Sequence, residues 1–403
     1  MTNGFNNQTN ESLSPLGADS APSRLINAGK RFKLSLIVPC YNEENTIEKC
    51  VEKVREINKN QNFDLEIVIV NDCSTDKSAE KLEQIAAKYP EIKIFTHPKN
   101  RGKGAALRTG FVSATGDFVG IQDADDEYNP MEYIELLKPL LDNKADVVYG
   151  SRYLKPDTRR VLYFWHTWMN KSLTFVSNMF TNLDITDMET CYKLFTKEAI
   201  QKIAPQLKEE RFGFEPEITA KVAQEKFRVY ECAVSYNPRT YEEGKKIGWK
   251  DGIHALYCVF HYSAHAAPLP IMVMIYLVIG AISLAANNVC FVAATQFGMA
   301  LDRAIITSLI ISATCNYLLC VAFLFRHKAR WSAGVEIFWY AASVAAMGLL
   351  DYGVTHALIG LIPFFGVHWS GAKLIASSIG FIGNFALRKW VVFPNKRKKS
   401  SSD

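Results

Sequence analysis

An α/β domain on a mostly parallel sheet, followed by an all-α domain of four membrane-spanning helices, is the architecture this 403-residue sequence predicts. Three observations carry it. Short apolar runs alternate with amphipathic stretches from Lys33 to Gly150, the pattern of strand–helix–strand units. Charged residues, dense up to about Lys250, become scarce between Ala266 and Gly383. That sparse region divides into segments long enough to cross about 30 Å of hydrocarbon. A composition of 48% hydrophobic and 22% charged residues excludes a wholly disordered chain. The net charge of +5 is too small to argue for nucleic acid as a partner.

The elements follow in order. Residues 1–32 are rich in Asn, Ser, Thr, Gly and Pro without an apolar core, so they read as a disordered tail and not a secretory signal. KLSLIVP (33–39) is a continuous apolar run suited to a buried parallel strand, and Ile47, Cys50, Val51 and Val54 then recur at helical spacing. LEIVIV (65–70), IKIF (92–95), DFVGI (117–121) and DVVYG (146–150) are further strands. Helices are expected at Asp76–Tyr89 and near 103–114 and 131–142. Ligands of such a sheet lie beyond the carboxyl ends of its strands, which here carry Tyr41 to Glu43, Asp72 and Asp123 to Glu127. Nine scattered cysteines without a C-x-x-C pair suggest neither a disulfide scaffold nor a zinc site, and favour a reducing compartment. The eight histidines are dispersed and read as ordinary surface or interfacial residues.

The apolar half divides into Ile271–Ala294, Ala304–Phe325, about 337–361 (interrupted by Asp351) and about 371–393. The basic segments 326–330 and 396–399, set against loops at 295–303 and 362–370 that share one arginine, place both basic segments and the N-terminal half on the cytosolic side. A faint repeat pairs Gly280 with Gly348, Asn316 with Asn384 and Phe325 with Phe393, each 68 residues apart, which implies two parallel two-helix repeats. The boundaries expected are 33–247 for the α/β domain, 248–270 for an interfacial juxtamembrane segment, 271–394 for the membrane domain and 395–403 for a basic tail.

IQDADDEYNP (121–130) crowds Asp123, Asp125, Asp126 and Glu127 at a strand end, where their repulsion suits a hard cation such as Mg2+ or Mn2+, or else a solvated acidic turn. VPCYNEE (38–44) offers Tyr41 and Glu43 to a base and ribose, and VNDCSTD (70–76) offers Asp72 to a base N–H. NRGKGAALRTG (100–110) supplies Arg101 and Lys103 at a helix N-terminus, which suits an anion.

With the motifs YGSRY (149–153) and TDMETCYKLF (186–195), residues 33–250 resemble a family 2 glycosyltransferase of the Rossmann-like GT-A fold. Within that family they are most similar to dolichyl- or polyprenyl-phosphate hexose synthases. Residues 271–394, ending in GNFALRKWVVF, resemble the GtrA-type membrane domain. The resemblance implies nucleotide-sugar contacts from Pro39, Tyr41, Glu43, Asp72, Lys103, Asp123 and Arg239. It implies metal binding by Asp125, Asp123 and Glu127, with Asp123, Asp125 and Arg152 as the catalytic set and an acceptor-phosphate site at Arg152, Arg159 and Arg160. Glu127 stands where mannosyl-transferring relatives carry glutamine, and Asp126, Asn71 and Cys73 also depart from the usual pattern.

The expected activity is inverting transfer of one hexose from a nucleotide sugar to a polyprenyl phosphate at the cytosolic membrane face. Mannose from GDP-mannose leads, and glucose from UDP-glucose is the alternative. A lipid phosphate is largely dianionic at neutral pH and needs no general base, in keeping with the lack of a Ser/His/Asp arrangement. The aromatic segment 160–180 and residues 248–265 are candidate interfacial helices. A processive polysaccharide synthase ranks low because Q-x-x-R-W is absent, and a non-catalytic flippase or scaffold ranks low because Asp123, Asp125 and Arg152 are intact.

Overall fold

The structure, a computed structural model, describes residues 31–59, 61, 63–154, 160–238, 249–325, 333–362 and 369–392. It forms two compact units, the first ending at Tyr262 and the second beginning at Ser263.

The first unit is a seven-stranded sheet in the order β3-β2-β1-β4-β6-β5-β7. Strands β1 (Lys33–Cys40), β2 (Asp64–Asn71), β3 (Lys93–Thr96) and β4 (Phe118–Ile121) are parallel, as the continuous apolar runs predict. β6 (Lys193–Thr196) inserts antiparallel between β4 and β5 (Val147–Ser151), and β7 (Val229–Ala233) closes the edge parallel to β5. Helix α1 (Ile47–Glu56) buries Ile47, Cys50, Val51 and Val54, the face its spacing predicts. After α2 (Ser78–Lys88) comes α3 (Lys103–Ser113), which lies so close to β1 that a Cβ on Gly110 would sit 2.1 Å from Ile37 Cγ2. Such a contact leaves room only for glycine. α4 (Tyr133–Leu141), α5 (Phe164–Thr181), α6 (Lys197–Ile203), α7 (Phe214–Gln224) and α8 (Trp249–Ser263) complete the unit.

α5 and α8 meet through Phe180 and Phe260, whose rings lie edge to face at 4.8 Å. Away from that contact both helices leave large apolar side chains bare: Tyr163, Phe164, Trp165, Trp168 and Phe175 on or just before α5, and Ile253, Leu256 and Tyr257 on α8.

The second unit contains α9 (Leu269–Gln296), α10 (Leu301–Leu319), α11 (Ala333–Leu361) and α12 (Trp369–Leu387), with α9 packed on α10 and α11 on α12. Within α9, residues Leu269–Ala294 are long and apolar enough to cross a membrane. Ile310–Leu324 and Gly334–Met347 are shorter apolar stretches. α10 and α12 each continue into a π-helical turn, Cys320–Phe325 and Arg388–Val392, at positions 68 residues apart. The spacing of the sequence repeat therefore recurs in backbone geometry. At the second of these turns Arg388 is buried, its guanidinium 4.6 Å from the centre of the Tyr340 ring and donating to Asn316 Oδ1.

Candidate active site

The acidic segment lies just beyond the carboxyl end of β4, and no two of its four carboxylates share a partner among the contacts that follow. Asp123 faces Lys103 Nζ at 3.1 Å, and the same ammonium lies 3.0 Å from Glu215 on α7. Burial alone would drive the proton off Lys103, but the two carboxylates reverse this and hold it charged. Asp125 Oδ1 accepts the Glu127 N–H at 3.2 Å. Asp126, held at φ 61° in the left-handed region, turns instead toward α1 and meets Lys49 at 2.6 Å as well as Lys53. Burial would raise its carboxyl, yet the hydrogen bonds from these two lysines hold it below its ordinary value. Glu127 Oε2 accepts the Tyr236 hydroxyl at 2.7 Å, which ties the segment to the chain that follows β7. Asp123, Asp125 and Glu127 thus stand on one short segment, and their oxygens are not among the described trios of metal-type donors within 4.8 Å of one another. Hard oxygen donors of this kind suit a divalent ion held by one or two carboxylates together with ligand phosphates.

Among the residues for which the resemblance implies nucleotide contacts, Asp72 follows β2 and is almost fully buried. Its carboxylate accepts the backbone N–H of Arg101 at 3.0 Å and of Gly102 at 2.6 Å, and it meets His97 Nδ1 at 2.7 Å. His97 Nε2 in turn lies 2.9 Å from Thr109 Oγ1. Asp72, a candidate partner for a base N–H, is thus also tied to the turn that leads into Lys103. Glu43, also buried, accepts the Thr46 hydroxyl at 2.8 Å at the start of α1. Pro39 pairs with Val70 near the end of β1, and Tyr41 is half-buried just beyond it.

Of the three arginines expected to meet an acceptor phosphate, Arg152 is buried and held by Asp187, with Nε at 2.7 Å and Nη2 at 2.8 Å from its two oxygens and the Arg152 N–H also donating at 3.0 Å. Burial works against its charge and Asp187 offsets it. The guanidinium lies 5.0 Å from the centre of the Tyr236 ring, so the Glu127–Tyr236 contact links the acidic segment to Arg152. Arg160 is exposed and donates to the Pro238 carbonyl at 3.4 Å. Arg159 and Arg239 lie outside the described residues.

Reading the sequence missed a layer of buried charge. Lys193 on β6 is wholly buried and donates to the carbonyls of Met188, at 2.9 Å, and Thr190. Nearby Glu189 has an enclosed Oε1 with no hydrogen-bond partner, and burial followed by the charge of Glu215 pushes its carboxyl well above the usual range. Asp187 and Glu189 both fall within TDMETCYKLF, and the density of charge in an otherwise apolar stretch was the available signal.

Comparison with known proteins shows the family. The family described as glycosyl transferase family 2 matches residues 35–204. A dolichyl-phosphate beta-glucosyltransferase of Trichomonas vaginalis is 31% identical over 233 residues, covering 54% of this chain and 70% of the relative. The chain belongs to glycosyltransferase family 2. This family 2 enzyme also matches the GtrA/DPMS transmembrane domain at residues 275–393, and so is a glycosyltransferase with a membrane domain. A dolichol-phosphate mannosyltransferase of Pyrococcus furiosus is 25% identical over 365 residues, 89% of this chain and 97% of the relative. Glucosyl-3-phosphoglycerate synthase of M. tuberculosis superposes with a TM-score of 0.46 at 14% identity, covering 61% of this chain and 84% of that one. The seven-stranded, mostly parallel sheet of the glycosyltransferase is the GT-A architecture its motifs imply.

Proposed function

We propose that the enzyme moves one hexose from a nucleotide sugar to a polyprenyl phosphate, with inversion, at the cytosolic face of a membrane. The observation that carries this reading is the row of bare Tyr163, Phe164, Trp165 and Trp168 beginning three residues after the exposed Arg160. Aromatic rings beside a cationic residue suit the bilayer interface and the phosphate headgroup of a lipid. A soluble acceptor would give no reason for this much exposed aromatic surface.

In this reading Asp125 and Asp123, with Glu127, hold Mg2+ or Mn2+. When bound, the ion neutralises the donor diphosphate and helps it leave. Lys103, kept charged by Asp123 and Glu215, sits at the N-terminus of α3, where backbone N–H groups also favour the diphosphate. Pro39, Tyr41, Glu43, Asp72 and Arg239 line the nucleotide. Arg160, with Arg152 and Arg159, brings the acceptor phosphate up, and one of its oxygens attacks the anomeric carbon as the nucleoside diphosphate departs. Arg152 enters already neutralised by Asp187, so its share is to fix the pocket wall while the exposed Arg160 meets the incoming charge.

Donor identity has two supports that differ. The Pyrococcus mannosyltransferase shares nearly the full length, which favours GDP-mannose. The Trichomonas glucosyltransferase is 31% identical over 233 residues, against 25% over 365 for the Pyrococcus enzyme, which favours UDP-glucose. Membranes carrying the full chain, given polyprenyl phosphate and labelled GDP-mannose or UDP-glucose with and without chelator, test both. A labelled polyprenyl-phosphate hexose with one donor, lost on chelation, is expected. Unlabelled lipid with every donor, from folded protein, rejects the reading.

A further inference from the structure

On the first unit, away from the acidic segment, Glu209, His254 and Cys258 converge although 45 residues separate the first two. His254 and Cys258 are one turn apart on α8, and Glu209 comes from the loop leading into α7. His254 Nε2 lies 3.1 Å from Glu209 Oε2 and 3.5 Å from Cys258 Sγ, and the three donor atoms fall within 4.8 Å of one another. Tetrahedral zinc, with bonds of roughly 2.0–2.1 Å to N or O and about 2.3 Å to S, sets its ligand atoms about 3.3–3.6 Å apart. The two shorter separations are already near that spacing.

The surroundings are those of a built site. Cys258 is fully buried, Glu209 mostly so, and the His254 ring is half exposed, which leaves a path for an ion on one side. The second oxygen of Glu209 accepts the Tyr262 hydroxyl at 2.8 Å, which fixes the carboxylate's orientation as ligand-supporting hydrogen bonds do in metal sites. Gly213 keeps the space clear: a Cβ there would lie 2.6 Å from both Cys258 Sγ and Glu209 Oε2.

We infer that Glu209, His254 and Cys258 form a zinc site, with water as the fourth ligand, that fastens α8 to the loop behind the nucleotide-binding turn. One thiolate, one imidazole and one carboxylate make a mixed set that selects Zn2+ over the hard ions suited to the acidic segment. The fastening reaches the active site through backbone. The Glu210 carbonyl accepts the Ala105 N–H at 3.1 Å, and a Cβ on Gly104 would come within 2.5 Å of the Glu209 carbonyl. Zinc at this position therefore steadies the turn that carries Lys103. The scattered cysteines and histidines of the sequence give no sign of it, because H-x-x-x-C supplies only two ligands and the third is remote.

Tag-free full chain, purified in detergent and stripped with chelator, is titrated with Co2+. One equivalent per chain is expected to give a near-ultraviolet thiolate-to-cobalt charge-transfer band that Zn2+ abolishes. The band should persist in Asp125→Asn, which separates this site from any ion at the acidic segment. It should vanish in Cys258→Ser, and Co2+ affinity should fall at least ~10-fold in His254→Gln. His254 is half exposed, so its variant keeps the test valid if Cys258→Ser does not fold. A wild-type protein without the band, or a band unchanged in His254→Gln, overturns the inference and leaves a metal-free hydrogen-bonded trio.

Discussion

Asp187 grips Arg152 through both carboxylate oxygens, at 2.7 and 2.8 Å, in a place almost closed to water. Removing one partner from such a pair leaves the other charge buried alone, at a cost of about 3–5 kcal/mol. Asp187→Ala should therefore lower the unfolding free energy of the full chain in detergent by that order, and Asp187→Ala with Arg152→Met should recover part of it. Purely additive losses in denaturant titrations would contradict the pairing.

The acidic segment separates adjacent aspartates by role. Asp125 should be indispensable to transfer, and Asp125→Asn should cost on the order of 100-fold or more in kcat. Asp126 is occupied by Lys49 and Lys53, so Asp126→Asn should keep transfer within a few-fold and show its effect in thermal stability instead. Steady-state assays of both variants with the labelled donor decide this, and equal losses would argue that Asp126 serves the ion.

Trp165 and Trp168 should act on one substrate alone. Replacing both with serine removes exposed apolar surface that, in the proposed reading, seats α5 at the bilayer. The apparent KM for polyprenyl phosphate is expected to rise about 10-fold, roughly 1.4 kcal/mol, with the KM for the nucleotide sugar unchanged. A matching rise for both substrates would point to a folding defect.

Glu66 gives a pH dependence. Burial by itself would raise its carboxyl, but hydrogen bonds from Lys93, Ser35 and Thr115 bring it down from 4.5 to about 2. Because the folded state holds its proton less tightly than the unfolded one, this stabilisation is complete above pH 4.5 and drains away as the pH falls toward 2. Glu66→Gln should lower Tm at pH 7 and converge on the wild type in acid. A gap that stays constant between pH 7 and 3 would refute it.

How legible this was depended on whether a signal was local. β1 and β2 show in the sequence because both faces of a central parallel strand are covered, which makes them unbroken apolar runs. β6 does not, because it is four residues long and opens on Lys193, whose charge is accommodated by carbonyls that only the folded loop supplies. At the site, Asp123 and Asp125 could be picked out since they sit side by side at a strand end. The engagement of Arg152 by Asp187 and of Glu127 by Tyr236 joins residues 35 and 109 apart, and no spacing rule connects them.

The paired π-helical turns of α10 and α12 bear on descent. Widening an α-helix by such a turn is usually the trace of one residue added within it, and the same irregularity closes both halves at matching positions. If the halves arose by copying a single ancestral hairpin, the irregular turn was already there when the copy was made.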